Sequence, residues 1–341
     1  MKLKRATIKD IARESGYSVM TVSFALRNHE KVKESTRRKI HEVAERLGYR
    51  PDPEMVRLMN RVRHNPELET TEPFAVLNLF PKKEDFQRDL FSMRVMDGAK
   101  ERLARHGFDL VEYWPGECSF DPEKVSARLK EQNINVLLIP PVPPKAPKFE
   151  LDWSQFTVAS VEERPIFPNF HRIHPNHFNN MLMMLEKLRG YGFRRIGFLS
   201  VPHMLGLDKY AFFGAFHAYF THFHPEMEHL PPLPNGSDPE ALKPWYEKWR
   251  PDVVIVTASW LEGAVRASLG VSIPDDLSLA CLAGDFDAVA GIDQKADLIG
   301  SAAADLLMAH AYRYEKGVPP FAKTMLIDGE WKEGPTFRPP E

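Results

Sequence analysis

Between residues 74 and 328, short apolar runs alternate with stretches of helical period, and that alternation leaves few folds open. "FAVLNLF" (74–80) reads as a buried strand and 89–106 as a helix closed by Gly107. Strands follow at "DLVEYW" (109–114), "NVLLIP" (135–140) and "TVASV" (157–161), with a helix at 122–132. Helix 177–191, strand "RIGFLS" (195–200), helices 207–223 and 238–249 and strand "DVVIVT" (252–257) continue the pattern. Helix 260–269, strand "LSLACLA" (277–283), helix 298–314 and strand "TMLID" (324–328) complete it. Such a chain builds parallel sheets covered on both faces, with ligand crevices at the strands' carboxyl ends. Two sheets fit the length of 341 residues. "PPVPPKAPK" (140–148) reads as a rigid loop, and no internal repeat or low-complexity tract is present.

Charge separates the first residues from the rest. Residues 1–63 hold 16 basic and 8 acidic side chains, a charge of +8, whereas the remainder carries −10 within a net −2. A basic head on an acidic body points the head at a polyanion. No apolar run of 18 residues and no signal-peptide pattern occurs, which predicts a cytoplasmic protein without a membrane partner. Cys118 and Cys281 stand far apart, supporting neither a disulfide framework nor a cysteine zinc site.

The head itself reads as three helices. Thr7 caps the first, with Asp10 three residues on as a variant capping box, and Gly16 supplies the left-handed turn at its end. Ser18 caps a second helix whose Val22, Ala25 and Leu26 face inward. Ser35 or Thr36 is expected to start the third, with Ile40, Val43, Ala44 and Leu47 inside and Gly48 at its end. Helix, tight turn and helix in this spacing match a helix-turn-helix, whose second helix enters the major groove. Behind it, "YRPDPEMVRLMNRVR" (49–63) sets Met55, Leu58, Met59 and Val62 on one helical face among Arg57, Arg61 and Arg63. Asp52 and Pro53 favour a helix start there, yet isolated helices below about 12 residues are marginal in water.

The composite "TIKDIARESGYSVMTVS…VKESTRRKI…AERLGYRP" resembles the lactose-repressor (LacI/GalR) family of bacterial transcription factors, almost without gaps from Thr7 to about Asn60. The resemblance implies an N-terminal all-α helix-turn-helix headpiece (1–50) and a hinge helix (51–63). It further implies an α/β periplasmic-binding-protein-like body of two doubly wound parallel-sheet subdomains. These are expected at 72–162 with 292–322 and at 163–291 with 323–341, with chain crossings near 161–165, 290–293 and 321–324. It implies base reading by Val19, Met20 and Phe24, and phosphate contacts from Thr7, Ser18, Thr21, Ser23, Thr36 and Tyr49. Leu58 takes the position of the leucine that wedges into the minor groove when paired hinge helices form on an operator. The three readers depart from the polar or basic pattern usual there. Apolar side chains contact thymine methyls, so an operator with A·T content is expected. Partners implied are pseudo-palindromic double-stranded operator DNA, a second copy in a homodimer and a small-molecule effector.

The resemblance thins at the effector site. Sugar-binding members use an arginine three residues before a glycine, an Asn-Asp pair and an aspartate; here Ala211 (before Gly214), Ala258-Ser259 and Ala283 stand there. A site for a sugar needs several convergent polar groups, so a sugar effector is not expected. Phe80, Arg164, Trp260 and Asp285, near the expected cleft mouths, are the candidate effector contacts. Seven of the 13 histidines lie in "HRIHPNH" (171–177) and "HAYFTHFHPEMEH" (217–229), but neither stretch carries HExxH, and no metal or cofactor is expected. Rossmann, P-loop and G-x-S-x-G fingerprints are absent, which argues against an enzyme. Two alternatives stay open: a ligand-independent regulator with a degraded cleft, and a solute-binding protein without a DNA role.

Overall fold

Helix caps and one small core build the amino-terminal unit, Met1–Glu69, and a separate, larger unit follows at Thr70–Glu341. The computed structural model describes residues 6–26, 32–49, 73–143, 146–148, 150–161, 167–202, 209–283 and 288–340. In the first unit, α1 (Ile8–Ser15) starts at extended Thr7 and stops at Gly16, whose φ of 75° is the left-handed turn read from sequence. Ser18 caps α2 (Val19–Ala25). α3 (Glu34–Arg46) starts earlier than the hydroxyls at 35 and 36 suggest: Lys33 occupies the cap position without a side-chain bond. Glu34 in the first turn suits the positive end of the helix dipole, and Ser35 and Thr36 lie inside the helix. Ile11, Val22, Ala25, Ile40, Val43 and Ala44 meet as the core. The hinge assigned to 51–63, Leu58 included, lies outside the described residues.

The second unit begins with β1 (Phe74–Leu77), α4 (Lys83–Arg88), α5 (Leu90–Ala104), β2 (Leu110–Tyr113), α6 (Pro122–Glu131), β3 (Val136–Ile139), β4 (Thr157–Val161) and β5 (His171–Pro175). It continues through α7 (His177–Gly190), β6 (Ile196–Leu199), α8 (Ala211–Ala218), α9 (Pro239–Trp249), β7 (Val253–Val256) and α10 (Leu261–Leu269). β8 (Ser278–Cys281), β9 (Ala290–Asp293), α11 (Ala296–Arg313), β10 (Thr324–Ile327) and β11 (Glu330–Lys332) close it. One sheet runs β10-β5-β4-β3-β1-β2 and the other β11-β9-β8-β7-β6, all pairs parallel except β11 on β9.

Side chains alternate across each strand, so both faces of a sheet are lined. Phe74 and Val76 meet α5 and α11 on one face of the first sheet, while Ala75 and Leu77 meet α6 on the other. Two glycines bring α5 and α11 into backbone contact. A Cβ on Gly98 would lie 2.0 Å from the Asp297 carbonyl oxygen, and one on Gly300 only 1.8 Å from that of Val95. Arg102 holds Asp305 through two hydrogen bonds of 2.7 and 3.0 Å across the same contact.

Where the chain passes between sheets differs from expectation. β5 was not foreseen as a strand, because its polar residues His171, Arg172 and His174 break any apolar run; it nevertheless pairs with β4 and β10 in the first sheet. The first crossing therefore falls at 175–177 rather than 161–165, and residues 171–175 leave the second subdomain to which 163–291 was assigned. "TMLID" likewise contributes β10 to the first sheet, which moves the last crossing from 321–324 to 327–330. The middle crossing, expected at 290–293, follows β9 at 293–296. In wound sheets helices run antiparallel to strands, so a helix that starts where a strand of the other sheet ends sets the two carboxyl edges face to face. α7 opens two residues after β5 and packs on the second sheet; α11 opens three residues after β9 and packs on the first. The crossings are tied together: Asn176 N–H donates to the Ile327 carbonyl (2.8 Å), Asn176 Nδ2 to Asp328 (2.8 Å), and Gly329 N–H to Asn180 Oδ1 (2.8 Å). Lys295 pairs with Glu330, and that hydrogen bond holds the Glu330 carboxyl down at about 2.

Candidate nucleic-acid interface and ligand cleft

In the first unit Ser18, Val19, Met20 and Thr21 form the start of α2, while Thr7 caps α1 and Thr36 lies in α3. Ser18 Oγ accepts from Thr21 N–H (3.1 Å) and lies 2.9 Å from Thr21 Oγ1, fixing the first turn. That turn pushes Val19 and Met20 outward, 47% and 67% exposed. Phe24 behaves differently: it is half-buried and packs on the helical core, so the structure separates the three expected readers into two projecting side chains and one that leans inward. Thr7 Oγ1 accepts from Asp10 N–H (3.3 Å) and Thr7 N–H donates to Asp10 Oδ2 (3.0 Å), completing the capping box read from sequence. Ser23 and Thr36 are partly buried. Tyr49 packs on the core beyond α3, and burial raises its phenol pKa. His41 Nε2 lies 3.2 Å from the Ala25 carbonyl, joining α3 to the end of α2, and Arg46 pairs with Glu14 of α1 (3.1 Å). Neither tie is legible in the sequence, since each depends on how three helices cross.

In the second unit the carboxyl edges of β1 and β2 carry an aromatic group. Phe86 meets Phe80 edge-on at 5.4 Å and Trp114 at 5.8 Å. Phe80, expected at a cleft mouth, is buried in this group, whereas Trp260 at the start of α10 is 54% exposed. Arg164 and Asp285 lie outside the described residues. Sequence reasoning missed Asn78 and Trp114. β1 ends at Leu77, and Asn78 continues the edge fully buried, its Oδ1 accepting from Phe80 N–H (3.1 Å). The signal that could have found it is one polar residue inside "FAVLNLF". Thr257, just past the end of β7, is a further buried polar side chain on these edges.

Several histidines of the two rich stretches are engaged by neighbouring side chains. His177 lies against Phe212 (4.8 Å) and near His174 (5.9 Å); burial, then the neighbouring histidine, push its pKa down to about 3. His171 stacks on His310 at 4.5 Å, and His224 sits between Glu226 (2.9 Å) and Glu186 (2.8 Å). Among the described residues, no helix is long and apolar enough to cross a membrane.

A capped helix-turn-helix unit in one chain with a two-sheet body, carboxyl edges facing, defines the class of helix-turn-helix proteins that carry a periplasmic-binding-protein-like body. Residues 7–52 match the family of bacterial regulatory proteins, lacI family, and the chain carries that family's helix-turn-helix domain. It is 57% identical over 47 residues to the HTH-type transcriptional regulator GanR of Bacillus subtilis (strain 168), covering 13% of this chain and 14% of that protein. The matched stretch is thus about one-seventh of that relative's length. The HTH-type transcriptional repressor CytR of Escherichia coli (strain K12) is 24% identical over 230 residues, covering 62% of this chain and 59% of the relative. Among solved structures, a lac repressor dimer bound to operator and the anti-inducer ONPF shares the fold with a TM-score of 0.54. It is 17% identical and covers 98% of this chain and 99% of that one.

Proposed function

We propose that the chain is a sequence-specific DNA-binding transcriptional regulator, a repressor, whose operator affinity is set by a small molecule in the cleft of its body. One observation carries the reading: a Ser18-capped α2 holds Val19 and Met20 out to solvent on a core whose sequence, over 7–52, is that of the lacI family. Val19, Met20 and Phe24 read bases, the first two at thymine methyls and Phe24 from a position braced by the core. Hydroxyls of Thr7, Ser18, Thr21, Ser23, Thr36 and Tyr49 set register on phosphates. Leu58 enters the minor groove when the hinge helices of two copies form. The protein works as a homodimer in the cytoplasm and catalyses no reaction.

In the body, Phe80, Arg164, Trp260 and Asp285 border the effector's cleft. The effector shifts the equilibrium only through unequal affinity for two arrangements of the sheets. The facing carboxyl edges support a cleft of this kind, as does the lac repressor fold.

Selection of bound duplexes from a random pool, with and without metabolite extract, tests the proposal. Palindromic half-sites with A·T pairs under α2 are expected, with affinity falling steeply as salt rises. Met20→Ala should change the recovered sequence and leave the salt slope alone. Recovery of no preferred sequence at low salt would remove the proposal.

A further inference from the structure

Two buried donors stand side by side at the carboxyl edge of the first sheet. The register that sets Leu77 against Tyr113 brings Asn78 next to Trp114, and the Asn78 N–H donates to the Tyr113 carbonyl (2.9 Å). Asn78 uses its Oδ1 on Phe80; its Nδ2, like the Trp114 Nε1–H, meets no acceptor among the described residues. Asn78 has no solvent exposure and Trp114 only 8%. Leaving such a donor unsatisfied is costly, and folds keep them rare. An amide NH2 and an indole N–H can only donate, so whatever completes them brings acceptor atoms.

The surroundings narrow the choice. Phe80, Phe86 and Trp114 form a buried edge-to-face set, an apolar aromatic surround with which a further flat ring can pair. Beyond the ends of β7 and β8 stand Ala258 and Ala283, and the Thr257 hydroxyl is buried without a partner among the described residues. A polyol's many hydroxyls both donate and accept, and alanines at these positions offer them no hydrogen bond, a large cost in affinity. We infer that the cleft takes a flat, unsaturated ring bearing carbonyl-type oxygens, which accept from Asn78 Nδ2 and Trp114 Nε1, and not a sugar. Calling that ring the effector rests on the regulator reading; its binding does not.

Isothermal titration calorimetry on the full chain, without DNA, separates these cases. Benzoate and 4-hydroxybenzoate serve as ring carboxylates, uracil and xanthine as neutral ring carbonyls, and glucose and cellobiose as polyols. Saturable binding is expected from one ring set, which identifies the source of the oxygen, and from neither sugar. Trp114→Phe keeps a ring in the aromatic set and deletes only the donor, so affinity should fall about 3- to 10-fold. Asn78→Asp sets a carboxylate against the ring's oxygen and should cost more than about 10-fold; it provides the reading if Trp114→Phe does not fold. Failure of every ring probe, tighter binding of a sugar, or unchanged ring affinity in the folded variants would overturn the inference. A parallel gel shift distinguishes the two proposals: DNA binding without ring binding removes only this one, and ring binding without DNA binding removes only the regulator reading.

Discussion

The headpiece and the carboxyl edges of the body arrange their contact groups in opposite ways. The headpiece sets Val19 and Met20 outside a core drawn from residues 11–44, and each cap lies within three residues of the group it satisfies. The body encloses Asn78 and Trp114, from strands 36 residues apart, and Thr257 from another sheet. A surface that reads a duplex needs projecting groups on a local frame. A cleft that encloses a small molecule needs groups from distant segments, positioned by the whole fold. The first is framed by neighbours in sequence, the second by the placement of whole sheets.

Three experiments test that contrast. The largest effect belongs to the body: Gly300→Val forces a side chain into the Val95 backbone, costing about 3 kcal/mol and lowering the body's Tm by roughly 5–10 °C. The headpiece transition in the same calorimetric scan should not move; a joint shift of both would erase the distinction. Next comes pH. His177 has a folded pKa of about 3 against an ordinary 6.5, so below 6.5 the unfolded chain binds a proton that the fold refuses. Body stability should therefore fall as pH drops from 6.5 toward 3, by on the order of a few kcal/mol, and His177→Phe should flatten that slope in urea titrations. An equally steep profile in the variant would show that His177 carries none of it. The smallest effect is in the headpiece, where Thr7→Ala removes the capping box and costs about 1 kcal/mol. Body stability serves as the control, and a headpiece melting unchanged would show the cap to be idle.

The same contrast explains what the sequence discloses. Thr7, Asp10, Gly16 and Ser18 were legible because a cap is a relation between near neighbours. Strand–helix alternation was legible for the reason that parallel strands buried on both faces are apolar throughout, as in "DVVIVT". β5 escaped because "HRIHP" reads as loop; only its partners β4 and β10, the latter 152 residues on, make it a strand. Lys33 displaced the expected cap of α3, since a helix can start on backbone geometry and packing without a side-chain bond. Asn78 was absorbed into an apolar run, and its isolation follows from which atoms its neighbours use.

The first and last crossings are cross-linked through Asn176, Asn180, Asp328 and Gly329, and the Lys295–Glu330 pair ties the middle crossing to them. A Cβ on Gly329 would lie 2.4 Å from Ile292, so the chain passes closely over β9 at the last crossing. Sliding one lobe past the other would break these bonds, whereas rotation at the crossings would be taken up by a few dihedrals. An occupant of the gap is therefore expected to act by favouring one rotation of the lobes over another.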